Sequence, residues 1–136
     1  MKIKLIKFDN FKEPVRAHYN DSGADIFAAE TVVIPAGKVC RVRTGVGVEL
    51  PDGYDIVIHC KSGLSSSGIF MANAPIDSGY RGEILGVMYN TTDKDYIVEQ
   101  GTKIGQMVVR PVVYADFVEE LDNNRGSNGF GSTGMV

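Results

Sequence analysis

No tryptophan occurs in these 136 residues, and histidine and cysteine appear only twice each. That scarcity removes several chemistries at once. Cys40 and Cys60 have neither metal-ligand spacing nor the density of a disulfide framework, which fits a reducing compartment. His18 stands alone in an unpatterned stretch, and no cluster of His, Cys and Glu suggests zinc. His59 and Cys60 adjoin, but neighbouring residues of a strand point to opposite faces, so they are no nucleophile–base pair. No apolar run approaches the ~20 residues of a membrane span. An excess of one charge is missing too: the net charge is −3 and the isoelectric point about 5.3, so there is no global attraction to a nucleic-acid backbone or an anionic membrane. Any phosphate binding must be local. A cytoplasmic protein with neither membrane contact nor direct nucleic-acid binding is expected. Finally, no window carries a 3.6-residue apolar stripe through three turns, which excludes a helical architecture.

What is present is alternation punctuated by turns. The chain is long enough to bury one core and too short for two domains of usual size. Ile3 and Leu5 alternate with lysines between Lys2 and Phe8, as in a half-buried strand, and Asn10 to Asn20 reads as a connection. Turn residues Asp21-Ser22-Gly23 lead into Ala24 to Ala28, and the β-branched run from Thr31 to Ile34 stops at Pro35-Ala36-Gly37. Val39 to Leu50 reads as one long strand, closed as a hairpin by Pro51-Asp52-Gly53. Tyr54, Ile56, Ile58 and Cys60 make the next apolar face, with Asp55 and His59 opposite. Ser62 to Gly68 is a small-residue loop or one helical turn. Strands follow over Ile84–Tyr89, Tyr96–Val98, Ile104–Val113 and Tyr114–Leu121, with Pro111 marking an edge or a switch between sheets. With strands every ten or so residues and 16 glycines, the class is all-β, a sandwich or distorted barrel. Beyond Leu121, glycine-rich sequence with Phe130 as its one core former reads as a disordered tail. The expected division is therefore a β domain over 1–121 and a flexible arm over 122–136.

Ile76 to Ile84 carries the densest chemistry. Asp77 stands near the tip of a turn, where it can orient a water, and Tyr80 offers a flat face to a base or sugar. Three further stretches suit anions. Lys61-Ser62-Gly63 joins a cation and a hydroxyl to a glycine that lets backbone N–H groups approach a phosphate. Gln106 supplies an amide after the Gly101 turn. The tail combines Arg125, Ser132 and Thr133 with Phe130, which can stack on a base. Each stretch taken singly is ordinary turn or surface composition.

Together they resemble a known family. Ser22-Gly23-Ala24-Asp25-Ile26, Lys61-Ser62-Gly63-Leu64, Asn73-Ala74-Pro75-Ile76-Asp77-Ser78-Gly79-Tyr80-Arg81-Gly82-Glu83, Gly101-Thr102-Lys103-Ile104-Gly105-Gln106-Met107 and Arg125 to Gly134 look like the five motifs of the homotrimeric dUTPases, in the family's order. The resemblance implies a jelly-roll-like distorted β-barrel, a trimer whose sites are shared between subunits, and hydrolysis of dUTP to dUMP and pyrophosphate with Mg²⁺ on the triphosphate. Such an activity limits uracil incorporation into DNA and supplies dUMP for dTMP synthesis. It further implies that Asp77 activates the water attacking the α-phosphorus and that Tyr80 packs on the deoxyribose. Ser62, Gly63 and Gln106 would contact phosphates, with Lys61, Asn73 and Ile76 also among the substrate-binding residues. Asp25 would hold the metal through water, and Arg125, Phe130, Gly131, Ser132 and Thr133 would close over the nucleotide.

Some positions depart from the family pattern. Lys61 replaces the usual Arg, exchanging a bidentate fork for a point charge. The stretch from Leu64 to Ile69 is one residue short, and Pro75-Ile76-Asp77 lacks the Gly-x pair usual before Ile-Asp, so an altered hairpin tip is expected. Asn128 stands in place of a Gly. The similar dCTP deaminases use a Glu three residues before an Asn, where this chain has Val87 ahead of Asn90. A regulatory protein that binds dUTP and a partner is the rival of a different class; no long insertion marks a partner surface here.

Overall fold

The computed structural model describes residues 1–121. Ten strands and one short helix follow in order: β1 (Lys4–Lys7), β2 (Ala24–Phe27), β3 (Val32–Ile34), β4 (Val39–Arg43), β5 (Val46–Glu49), β6 (Tyr54–Cys60), α1 (Ser62–Ser66), β7 (Ile69–Met71), β8 (Leu85–Asn90), β9 (Tyr96–Val98) and β10 (Lys103–Pro111). They form four small antiparallel sheets, β1-β5, β2-β10-β6, β3-β9 and β4-β8-β7, folded around one core as a jelly-roll-like distorted barrel. Inward alternation supplies that core: Ile26, Val42, Val46, Ile56, Ile84, Met88 and Ile104 are all essentially inaccessible to solvent.

Among the described residues, the buried polar side chains are all partnered. Asn90 is the hub, its amide donating to the Ile34 and Lys94 carbonyls and its oxygen accepting from the Thr92 N–H and hydroxyl. Thr44 donates to the Ile84 carbonyl at 2.6 Å. Each closes a backbone gap that would otherwise be a buried unsatisfied group.

The strand expected over Val39–Leu50 is two strands in different sheets. Period two runs unbroken through Val42, Thr44, Val46, Val48 and Leu50, all buried, because β4 and β5 face the same core. The ladder nevertheless changes hands: β4 pairs with β8, while β5 pairs with β1. Gly45 makes the bend at φ 72°, left-handed backbone that favours glycine, and a Cβ there would stand 3.0 Å from the Phe11 Cα. The turn at Pro51-Asp52-Gly53 likewise closes no hairpin, since β6 pairs with β10 and the turn only carries the chain between sheets.

Two further expectations change. Tyr114–Leu121 forms no strand and joins no ladder, and Val113, Tyr114, Phe117, Val118 and Leu121 are exposed. Its root is tied down where the Gly53 N–H donates to the Tyr114 hydroxyl at 2.7 Å. Pro111 ends β10 rather than interrupting it. β2 accompanies β10 only as far as Met107, so Pro111 lies where β10 has β6 on one side alone and its missing N–H costs no ladder bond. No helix among the described residues is long and apolar enough to cross a membrane.

Candidate active site

The stretch from Asn73 to Leu85 forms an opened loop between β7 and β8. Main-chain pairing of these strands stops at Met71 opposite Met88, and the Ala72 N–H still reaches the Val87 carbonyl at 2.7 Å. Beyond that point the Asn73 side chain takes over, donating to the Leu85 carbonyl and accepting from the Val87 N–H at 2.8 and 2.7 Å. An amide side chain is longer than a direct strand pairing, so the two limbs splay. The gap is a cleft of about 280 Å³ lined by Asn73 to Asp77, Tyr80 and Glu83 to Leu85.

The two limbs are anchored separately. Ile76 is buried and exchanges both main-chain bonds with Ile56 of β6, at 2.8 and 3.0 Å. Asp77 follows it directly into solvent, and its carbonyl accepts from the Tyr80 N–H across the turn. On the returning limb, Glu83 binds the Arg43 Nε at 3.1 Å and the Gly45 N–H at 2.8 Å. The hydrogen bond to Glu83 holds the Arg43 guanidinium above its ordinary pKa. The Glu83 carbonyl accepts from the Tyr80 hydroxyl at 2.6 Å, so the ring lies along the turn with one face open. Arg43 did not stand out in the sequence, and Glu83 was read only as the end of its motif, without a role. Their signal is visible only once β4 and the loop are known to be adjacent.

A second group gathers on the outer face of the β2-β10-β6 sheet. Gln106 stands opposite Asp25 on one side and His59 on the other. A Cβ on Gly23 would lie 2.6 Å from the Gln106 Oε1, so the glycine admits that side chain toward β2. Lys103 pairs with Asp25 at 3.6 Å, a partner that sequence reasoning missed although it lies in the same stretch as Gln106. Lys61 extends the β6 ladder through its N–H to the Ile104 carbonyl, after which Leu64 turns into the core and leaves Lys61, Ser62 and Gly63 exposed. Cys60, which ends β6 just before them, is half-buried, and that burial pushes its thiol up, keeping it protonated.

Within one chain the two groups do not meet. Ile76 is bridged to Ile56, while Lys61 lies five residues further along β6, about 16 Å at strand rise. Asp77 and Tyr80 thus belong to one end and edge of β6, and Lys61, Ser62, Gly63, Gln106 and Asp25 to the other.

The dUTPase family model matches residues 9–134. The chain belongs to the dUTPase family. It is 43% identical to the deoxyuridine 5'-triphosphate nucleotidohydrolase of Clostridium tetani over 98% of this chain and 96% of that protein. Against the protein of the same name from Thermobifida fusca it is 46% identical over 89% of this chain and 72% of that one. Among solved structures, the dUTPase from phage phi11 of S. aureus aligns with a TM-score of 0.83 at 26% identity, covering 90% of this chain and 99% of that one. A mutant dUTPase of Staphylococcus bacteriophage 80alpha, solved with dUpNHpp, aligns at 0.81 and 26% over the same shares. Of the positions that carry the dUTPase resemblance, Arg125, Phe130, Gly131, Ser132 and Thr133 lie outside the described residues, as does the expected arm.

The fit to a divalent cation can be tested on the remaining residues. Among the described residues no group of three or more His, Cys, Asp or Glu side chains converges as a cage. Mg²⁺ does not need one: it keeps several waters and is commonly held through one or two carboxylates plus substrate phosphates. Asp25, partly buried opposite the Gln106 amide and paired with Lys103, is a single carboxylate of the kind that outer role needs.

Proposed function

We propose that this chain hydrolyses dUTP to dUMP and pyrophosphate, using sites that form where Asp77 and Tyr80 of one copy meet the phosphate-binding residues of another. The observation that carries this reading is the separation just described. One group has a carboxylate and an aromatic face on a cleft of nucleoside size, the other has cations, hydroxyl and amide suited to phosphates, and β6 holds them apart. A homotrimer brings such half-sites together by symmetry. The exposed apolar segment from Val113 to Leu121 supports assembly, since a monomer gains nothing by presenting it to water.

In the assembled site Tyr80 packs on the deoxyribose, and with its hydroxyl committed to Glu83 it offers no partner to a 2′-hydroxyl. Asp77 accepts a proton from a water as its oxygen attacks the α-phosphorus. The new P–O bond forms as the bond from the α-phosphorus to the bridging oxygen breaks, and the electron pair leaves with pyrophosphate. Lys61, Ser62, Gly63 and Gln106 hold the phosphate tail and stabilise the charge that grows on the leaving group. Mg²⁺, when bound, supplies charge neutralisation on the triphosphate, and Asp25 would hold its hydration shell. Arg125, Phe130, Gly131, Ser132 and Thr133 close over the nucleotide. Asn73 contributes by holding the cleft open rather than through a free side chain, because its amide is already bonded at both ends.

The testing experiment is pyrophosphate release from dUTP, UTP, dTTP and dCTP with and without Mg²⁺. Release from dUTP alone, dependent on Mg²⁺, is expected. Equal release from UTP would remove Tyr80 from its role, and no release from dUTP would overturn the proposal.

A further inference from the structure

We infer that His59 is a further substrate-binding residue, its imidazole donating an N–H to the phosphate tail beside Gln106. This rests on the function proposed above. His59 is exposed on the outer face of β6 and stands directly across from Gln106, a position at which Cβ atoms lie about 4.5–5.5 Å apart. Lys61, two residues on, projects to the same side by strand alternation. Asp25, Gln106 and His59 therefore form one row across three strands, with Asp25 and His59 about 10 Å apart, twice the inter-strand spacing. The row has a carboxylate for a hydrated cation at one end, an amide in the middle and a ring donor backed by Lys61 at the other. A phosphate chain laid over Gln106 meets favourable chemistry on both flanks.

The neighbouring groups leave His59 free for this. Below it on the same face come Val57 opposite Val108, then Asp55 opposite Arg110. Asp55 is occupied by a two-pronged contact with the Arg110 guanidinium at 3.0 and 3.2 Å, and Asp25 by Lys103. No side-chain hydrogen bond to the His59 ring occurs among the described residues, so a phosphate oxygen would displace no partner.

The test compares wild type, His59→Ala and His59→Gln by calorimetry with dUMP and with a non-hydrolysable dUTP analogue in Mg²⁺, alongside kcat and KM for dUTP. The loss of one charge-assisted hydrogen bond predicts about fivefold to tenfold weaker binding of the triphosphate analogue by His59→Ala. KM should rise in parallel, with kcat and dUMP affinity within about twofold of wild type. His59→Gln, which keeps an N–H donor, should recover part of the loss. Unchanged analogue binding by His59→Ala overturns the inference. Equal weakening of dUMP and the analogue, or dissociation of the oligomer in both variants, also overturns it by showing a merely structural role. If wild type fails to turn over dUTP, it is the function proposed above that fails, and the inference falls with it.

Discussion

At the scale of single residues, the proposed site separates groups that act from groups that hold. Asp77 has no side-chain partner among the described residues, as suits a base that must meet water. Asp77→Asn is expected to lower kcat by ~10²–10⁴-fold while leaving the affinity for a dUTP analogue nearly intact, because the carboxylate matters mainly in the transition state. An Asn variant with half the wild-type rate would remove Asp77 from the mechanism. Cys60 is the opposite case, a nucleophile by type but inert by setting. Its pKa is raised by burial, so the stability it contributes is fully present below the ordinary thiol value of about 8.5 and is lost as pH rises through the higher folded value. Melting temperature should therefore decline at alkaline pH, less so in Cys60→Ala, and labelling by a thiol reagent at pH 7 should be slow. The turn that carries Asp77 and Tyr80 was legible from sequence because turn chemistry is local. Glu83 and Lys103 were not, because their meaning comes from Arg43, Gly45 and Asp25, each brought alongside by a different strand.

At the scale of elements, the loop from Asn73 to Leu85 is a framework with two independent supports. Ile76 is pinned to β6, and Glu83 is pinned to the bend between β4 and β5. Removing the second support by Glu83→Ala leaves the Gly45 N–H and the Arg43 Nε–H without their acceptor, while Arg43 keeps the Asp9 carbonyl, at a cost of about 1–3 kcal/mol in urea unfolding. The same change frees the returning limb, so activity should fall further than stability predicts. Gly45→Ala should destabilise by at least ~1 kcal/mol through its left-handed backbone and close neighbours. Strand positions were mostly readable from alternation, and α1 from its run of small residues. Strand partners were not, because the inward period passes through Thr44 without a break and says nothing of which edge each half will find.

At the scale of the whole molecule, the proposed division of the site between copies makes a prediction that no single chain can imitate. Asp77→Asn and Gln106→Ala should each be poorly active, yet trimers reassembled from a mixture of the two should regain activity at sites that take Asp77 from one variant and Gln106 from the other. A mixture no more active than its parents would place the whole site in one copy. A chain ending at Leu121 should still assemble with a near-wild-type melting temperature but lose most of its kcat/KM, which gel filtration and pyrophosphate release would measure together. The same strand order bears on how the molecule comes into being. β10 lies between β2 and β6, and among the described residues it is the last strand made. Until it has emerged from the ribosome, two strands of that sheet have no neighbour, and folding awaits contacts between residues far apart in sequence. A message broken anywhere ahead of Pro111 would therefore yield a chain unable to close its barrel, leaving quality control an open sheet edge by which to know it.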